Sequence, residues 1–391
     1  MRKIEEFIQE FCPDGISFIE LGQVLNYEQP TKYIVKSTRY NDDYYTPVLT
    51  AGQSFILGYT NETSGIYNAS KEQPVIIFDD FTTSFHWVDF SFKVKSSAMK
   101  ILTPKIDSEI DFRFVYYAMM CIEYSAQDHA RQWISVYSKF LIPIPPLPIQ
   151  QEIVNILDKF TELEAELEAE LEARKKQYEY YRNELLNFEG KEVEWKTLGE
   201  VGELIRGSGL QKSDFVENGV GCIHYGQIYT HYRFSADKTK SFVSPELAKK
   251  LRKASKGDII IATTSENIED VCKTVVWLGN EEIAISGETY IFKHNQNAKF
   301  IAYYLQTPSF LEFKRQNRTG TKVIRVHGDK IKQFRIPVPP IKEQERIVGI
   351  LDKFDAMVND ISIGLPAEIE ARRKQYEYYR GKLLTFEKKN N

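Results

Sequence analysis

The chain has 391 residues, 42% of them hydrophobic and 27% charged, with a net charge of -4. That is length and apolar content for two or three domains with cores of their own, and a balance that excludes binding of acidic partners by overall positive charge. Cys12, Cys121, Cys222 and Cys272 have no C-x-x-C spacing and the six histidines no H-x-x-x-H spacing, so neither a disulfide framework nor a common zinc site is expected. No leader-like opening and no run of 18 apolar residues is seen, and a cytosolic setting is expected.

Residues 1–141 hold 13 basic against 18 acidic side chains. A short amphipathic stretch (Ile4, Phe7, Ile8, Phe11) stops at the turn signal Cys12-Pro-Asp-Gly15. β-type runs follow at Tyr33 to Val35, Thr46 to Thr50, Ser54 to Gly58 and Val75 to Phe78, separated by Gly, Asn, Asp and Ser. Asp111 to Tyr124 carries Phe114, Val115, Ala118 and Ile122 at helical spacing. A β-rich globular domain with one or two helices is expected.

At residue 142 the texture changes. Pro143, Pro145, Pro146 and Pro148 make a stiff extended entry. From Gln150 to Phe188 there is no Pro or Gly, and Ile153, Ile156, Phe160, Leu163, Leu167, Leu171, Tyr178, Tyr181, Leu185 and Phe188 recur mostly at steps of three and four. This is the seam of a coiled coil, in a helix roughly 60 Å long. Within it Thr161-Glu-Leu-Glu, Ala165-Glu-Leu-Glu and Ala169-Glu-Leu-Glu are consecutive tetrads. The glutamates alone read as a solvated face. The tetrad period reads as an adjustable spacer, because one unit changes the helix length by about 6 Å and leaves the flanking seams alone.

Residues 191–335 repeat the plan. Val193-Glu-Trp-Lys-Thr-Leu-Gly-Glu-Val201 echoes Ile16-Ser-Phe-Ile-Glu-Leu-Gly-Gln-Val24. β-type runs are expected at Ile223 to Tyr225, Asp258 to Thr263, Val275 to Leu278 and Thr289 to Phe292. A helix is expected from Ala298 to about Gln316, with Tyr303 and Tyr304 matching Tyr116 and Tyr117. This block is basic, with 23 positive against 17 negative side chains. Residues 336–391 return to the helix, with a kink or break expected at Gly364 and Pro366.

The two helical regions share one text. Ile142-Pro-Ile-Pro-Pro and Glu152 to Phe160 match Ile336-Pro-Val-Pro-Pro and Glu345 to Phe354, and Ala173-Arg-Lys-Lys-Gln-Tyr-Glu-Tyr-Tyr-Arg182 matches Ala371-Arg-Arg-Lys-Gln-Tyr-Glu-Tyr-Tyr-Arg380. The order of globular block, shared helix, divergent globular block and shared helix resembles the specificity subunits of type I restriction-modification systems over the whole chain.

The resemblance implies an α+β fold in which two β-rich target-recognition domains, 1–141 and 191–335, are joined by two long antiparallel helices, 142–190 and 336–391. These would form a coiled coil with pseudo-twofold symmetry. Each domain would read one half of a bipartite, non-palindromic DNA site, and the helices would fix the unread spacer. The chain would be non-catalytic. Two methyltransferase subunits would dock on it and methylate an adenine in each half-site, and ATP-dependent restriction subunits can join. S-adenosylmethionine, ATP and magnesium would be held by those partners, with no cofactor in this chain.

Two further observations agree. No Asn or Asp precedes a Pro-Pro-aromatic, the motif by which adenine methyltransferases hold the amino group, and Gly207-Ser-Gly-Leu-Gln-Lys-Ser213 lacks phosphate-loop spacing. Two rival readings are a catalytic chain with unrecognised motifs, which activity of the purified chain alone would reveal, and a coiled-coil adaptor without a DNA role, which gel shifts of the complex would reveal.

Candidate DNA contacts in the second block are Tyr225, Gln227, Tyr229, His231 and Arg233, whose amide and guanidinium groups suit adenine and guanine edges. Arg206 and Lys212 beside a Gly-rich loop, and Thr264, Ser265 and Asn267 after a strand, join them. Arg318, Lys322 and Arg325 lie in a run of cations that reads as a phosphate grip or as a plain solvated face. In the first block the candidates are Lys36, Arg39, Tyr40, Gln53, Thr82, Thr83 and Ser84. The neighbouring Asp79 and Asp80 read as structural or as acceptors for cytosine. Tyr178, Tyr181, Tyr376 and Tyr379 are assigned to the seam and to the docking of two identical partners.

Overall fold

The structure is a computed structural model that describes residues 2–52, 54–105, 110–126 and 130–389. The chain folds as two compact units, one of residues 1–168 with 369–391 and one of residues 169–368. Each unit therefore takes part of each helical region. No helix among the described residues is long and apolar enough to cross a membrane.

In the first unit the helix Arg2–Phe11 precedes a β-rich domain. A four-stranded sheet runs Leu25–Glu28, Met99–Pro104, Val75–Asp79, Phe85–Val88, and a three-stranded sheet runs Ile56–Thr60, Thr46–Leu49, Lys93–Val94. Two strands depart from the expected runs. Tyr33 ends a 3-10 turn, Pro30–Tyr33, because Pro30 fixes its start, and the second strand of the hairpin begins at Ile56 after the turn at Gly52. The domain helix spans Phe112–Met119, with the Asp111 carboxylate accepting from the backbone of Arg113 and Phe114. It is shorter than its apolar pattern suggests.

In the second unit the expected runs supply three strands of one five-stranded sheet, Ile259–Ala262, Thr274–Trp277 and Thr289–His294. A second five-stranded sheet is built from short strands outside the expected runs, apart from Val220–Ile223, which ends where one expected run begins. The run from Ala298 forms two helices, Ala298–Tyr304 and Pro308–Asn317, since Pro308 cannot continue the first. Tyr225–Thr230 is a short helix in place of strand and hairpin, with His224 as its N-cap.

The two weaker repeats in the sequence turn out to be partners. Ser17–Glu20 pairs antiparallel with Leu141–Ile144, setting Phe18 opposite Pro143, and Glu194–Thr197 pairs with Arg335–Val338, setting Trp195 opposite Pro337. A two-stranded ribbon tolerates proline because it has free edges. The Pro-rich joint is thus a ribbon that also enters a helix.

The central helix runs Leu147–Leu185 without a break. The distal region is two helices, Ile341–Asn359 and Leu365–Leu384. The break falls where Gly364 and Pro366 stand in the sequence. A Cβ on Gly364 would lie 2.4 Å from the Ala356 carbonyl, so only glycine lets the chain turn this tightly.

Helix packing is antiparallel in kind within each unit. In the first, Tyr379 stacks on Phe160 at 5.5 Å and Arg373 reaches Glu164 and Glu168, both at 2.5 Å. In the second, Tyr178 and Tyr181 both stack on Phe354, at 6.5 and 5.5 Å. The shared text also fixes the domains. Ile153 and Leu157 in one unit, and Ile347 and Leu351 in the other, are buried among the domain's apolar side chains, each contributing about 1.5–3 kcal/mol by leaving water.

Around that apolar contact a polar lock is built twice. Gln150 accepts from the backbone of Asp111 at 2.9 Å and donates to the Pro145 carbonyl at 2.7 Å. Gln344 accepts from the backbone of Asn297 at 3.0 Å and donates to the Pro339 carbonyl at 2.8 Å. Asp158 accepts from Tyr117 (2.5 Å) and Arg113 (2.9 Å), as Asp352 does from Tyr303 (2.8 Å) and Lys299 (2.6 Å). By role, then, Tyr117 corresponds to Tyr303, one position off the match read from the sequence.

Burial, then the bond to Asp158, pushes the Tyr117 phenol up. Burial, then Tyr178 and Asp352, does so for Tyr303. Both hydroxyls therefore stay donors at any physiological pH. Gln344→Ala is expected to leave the half-buried Asn297 N–H and the buried Pro339 carbonyl without this partner and to lower stability by roughly 1–3 kcal/mol. Urea unfolding of the variant checks this.

In the first unit the chain's two ends also meet. The Ile16 N–H donates to the Glu387 carbonyl and the Lys389 N–H to the Ile16 carbonyl, both at 3.0 Å, beside Gly15 at φ +92°. A Cβ at Gly15 would lie 2.9 Å from the Lys389 backbone, so glycine is required by both the angle and the approach.

Candidate nucleic-acid interface

In the second unit the candidate segments, scattered over 120 residues of sequence, converge on one loop, Ser286 to Glu288. The Tyr225 N–H donates to Ser286 Oγ at 2.8 Å. Arg206 Nε donates to the Gly287 carbonyl at 3.1 Å, and its guanidinium lies 3.8 Å from Glu288 Oε1. Thr264 Oγ1 donates to Glu288 Oε2 at 2.7 Å, and Arg325 lies 3.7 Å from the same oxygen.

The strand pair Thr264–Ser265 with Ile324–Arg325 sets this register, placing Thr264 opposite Arg325. The Tyr229 hydroxyl donates to the Thr264 carbonyl at 2.9 Å and is held protonated chiefly by burial. The hairpin that carries Arg325 turns at Gly320, φ +83°, where a Cβ would sit 2.1 Å from the Val323 carbonyl. Arg318 and Lys322 are exposed on that turn, and Arg325 is 51% exposed. Asn267, close by in sequence, folds its side chain onto Asp270, and Lys212 is exposed on the 3-10 turn Lys212–Asp214.

Three expected base readers are placed otherwise. Gln227 is buried. Its carbonyl oxygen accepts from the His224 N–H at 3.0 Å and its amide donates to Ser241 Oγ at 2.7 Å, so the side chain serves the helix cap. Arg233 turns to the C-terminus of the helix Ile341–Asn359 and donates to the Asn359 carbonyl, an end that attracts cations. Thr264 is buried, and its hydroxyl donates to the Glu288 carboxylate. His231 remains exposed, edge-on to the Tyr232 ring.

In the first unit Thr82, Thr83 and Ser84 form the tight turn between two strands of the four-stranded sheet. Asp79 accepts from the backbone of Phe81 and Thr82, both at 2.8 Å, and Thr83 takes φ +60° and is buried. Only Thr82 is exposed there. Asp80 is buried, 3.3 Å from Lys100 and accepting from the Trp133 N–H at 2.9 Å. Both carboxylates are therefore structural.

Lys36 and Arg39 are exposed on an irregular segment held by Glu62, which accepts from the backbone of Lys36 and Ser37. Tyr40 packs against Gly58 and its hydroxyl is buried without a partner. Among the described residues no hydrogen bond joins this segment to the Thr82 turn. Gln53 lies outside the described residues.

The docking tyrosines also divide. Tyr178 is buried, Tyr376 and Tyr379 are half-buried with their rings against Phe160, and Tyr181 lays its ring on Phe354 while remaining 41% exposed. The most exposed tyrosines of the repeated phrase are Tyr180 and Tyr378, 61% and 62% exposed, each edge-on to the next tyrosine. Their equal exposure in both copies is a signal that repetition alone does not show.

Two units with one internal lock and two unlike surfaces define a duplicated recognition scaffold. The family model described as the type I restriction modification DNA specificity domain matches residues 13–173 and again 190–371. The chain is 45% identical over 390 residues to the type I restriction enzyme EcoR124I/EcoR124II specificity subunit of Escherichia coli, covering 96% of each. A solved type I S subunit from M. genitalium has a similar fold, with TM-score 0.54 at 14% identity over 95% of this chain and 96% of that one. A chain from a structure titled for complex assembly and conformational transition of the type I R-M system gives TM-score 0.57 at 15% identity over 95% and 97%. The chain belongs to the type I restriction-modification specificity subunits: it is a DNA-recognition chain of such a system and not its catalytic one.

Proposed function

We propose that this subunit recognises a bipartite, non-palindromic DNA sequence. The domain within 1–141 reads one half, the domain within 191–335 reads the other, and the helical regions 142–190 and 336–391 set the spacer between them. The observation that carries this is the lock of Gln150 with Asp158 and of Gln344 with Asp352. The same device fixes two domains whose sheets differ, four- and three-stranded in one and five-stranded in the other. A protein that needed one recognition surface would have no use for two unlike ones held identically.

Two methyltransferase subunits dock on the repeated phrase, one per copy, through Tyr180 and Tyr378, and bring S-adenosylmethionine to an adenine in each half-site. ATP and magnesium belong to restriction subunits that join the complex, and the setting is the cytoplasm, where the chromosome lies. The first domain is acidic, so these partners supply much of its phosphate contact.

Exposed aromatic side chains that anchor a partner typically carry about 2 kcal/mol or more, roughly 30-fold in affinity. Tyr180→Ala or Tyr378→Ala is expected to weaken the binding of one methyltransferase subunit roughly 30-fold, and the double variant that of both, on analytical ultracentrifugation of the reconstituted complex over a range of concentrations. Two subunits bound to the double variant with unchanged affinity would overturn the docking assignment.

A further inference from the structure

The Ser286 to Glu288 loop places an acid between two arginines that come from distant parts of the second block. Glu288 is one-third exposed and has Arg206 on one carboxylate oxygen and Arg325 with Thr264 on the other. Its backbone is fixed as well, since its carbonyl accepts from the Thr263 N–H at 3.1 Å and from Thr263 Oγ1 at 3.2 Å. Thr289 Oγ1 donates to the Ser286 carbonyl at 2.6 Å, which closes the loop from below. A surface glutamate would ordinarily be free to swing away from an approaching polyanion. This one is held on both its backbone and its side chain.

We propose that Glu288 is a specificity-determining residue of the second recognition domain, selecting a base whose edge donates a hydrogen bond. The inference rests on the DNA-recognition reading above. A carboxylate only accepts, so in the major groove it is compatible with the amino group of cytosine or adenine and is repelled by the acceptors of guanine and thymine and by phosphate. Arg206 and Arg325 offset its charge in the free protein and, being half or more exposed, reach outward to the backbone on binding. The fixed carboxylate then discriminates chiefly by penalising the wrong base, which is how a specific interface rejects near-cognate partners. Thr264 is a positioning residue: it aims Glu288 and touches no DNA.

The test compares Glu288→Gln and Glu288→Ala in the complete complex with its methyltransferase subunits. Glutamine keeps the size of the side chain and an oxygen for Thr264, so it preserves the loop. The readouts are the methylated motif across the host genome and affinity for cognate and random duplex at several salt concentrations. Both variants are expected to relax or change one base position in one half-site, with discrimination there falling roughly 10-fold. The other half-site and the spacer stay as they are, and affinity for random duplex holds or rises because a negative charge has been removed.

An unchanged motif with either folded variant overturns the inference, and so does a loss of affinity shared equally by all sequences with Glu288→Gln. A wild-type complex that methylates no bipartite motif would instead remove the reading on which the inference stands.

Discussion

Alanine at Arg318, Lys322 and Arg325 together is expected to weaken binding of the assembled complex to every duplex, cognate or random, by roughly 100-fold near physiological salt. The estimate follows from counterion release. Three neutralised phosphates contribute a slope of about 0.9 each in log affinity against log salt, and at about 0.15 M this amounts to two orders of magnitude. Arg318 and Lys322 stand exposed on a turn that Gly320 makes possible. Arg325 is anchored on the strand paired to Thr264–Ser265. The three are therefore presented on one hairpin. Their contacts carry charge and no sequence information, so the motif should not change while the salt slope falls by up to about 3. Loss of specificity at one base, with an unchanged slope, would move these residues from grip to reader. Glu288 is expected to behave in the opposite sense, and the two sets of variants control for each other.

Deleting Ala165 to Glu168 is expected to preserve both half-site sequences and shorten the unread spacer by one or two base pairs. Four residues of helix are about 6 Å, against about 3.4 Å per base pair. The tetrads make the deletion tolerable. Arg373 now pairs with Glu164 and Glu168, and after removal of one tetrad Glu172 occupies the second place, four residues beyond Glu164. Leu171 likewise replaces Leu167 beside Leu163 in the seam. A methylome with the original spacer would end the idea that helix length sets it.

How far the sequence discloses this molecule depends on whether a feature repeats or is periodic. The central helix is legible because its apolar steps persist without Pro or Gly, and the distal break because Gly364 and Pro366 interrupt them. The joint is legible as a repeat, but its pairing with Ser17–Glu20 and Glu194–Thr197 is long-range and leaves no local mark. The same holds for Gln150 and Gln344. Both stand at matched positions, yet a buried amide that bonds a proline carbonyl and a distant N–H looks like any other glutamine.

Short elements fail for a different reason. Tyr225–Thr230 is helical because His224 caps it and Gln227 closes the box, and six residues are too few for a period to show. On the proposed interface, scanning for cations and amides singles out Arg206, Arg318, Lys322 and Arg325, which the structure leaves exposed. It passes over Glu288, because an acid argues against DNA until its arginine neighbours are seen. It also includes Arg233, whose partner at Asn359 is 126 residues away.

Sequencing of modified bases across the genome of cells that carry this chain with its methyltransferase subunits meets the account most directly. A motif in two unlike parts, separated by a fixed number of unread base pairs and methylated at an adenine in each part, is the predicted result. A single uninterrupted motif, or a palindromic one, would contradict it.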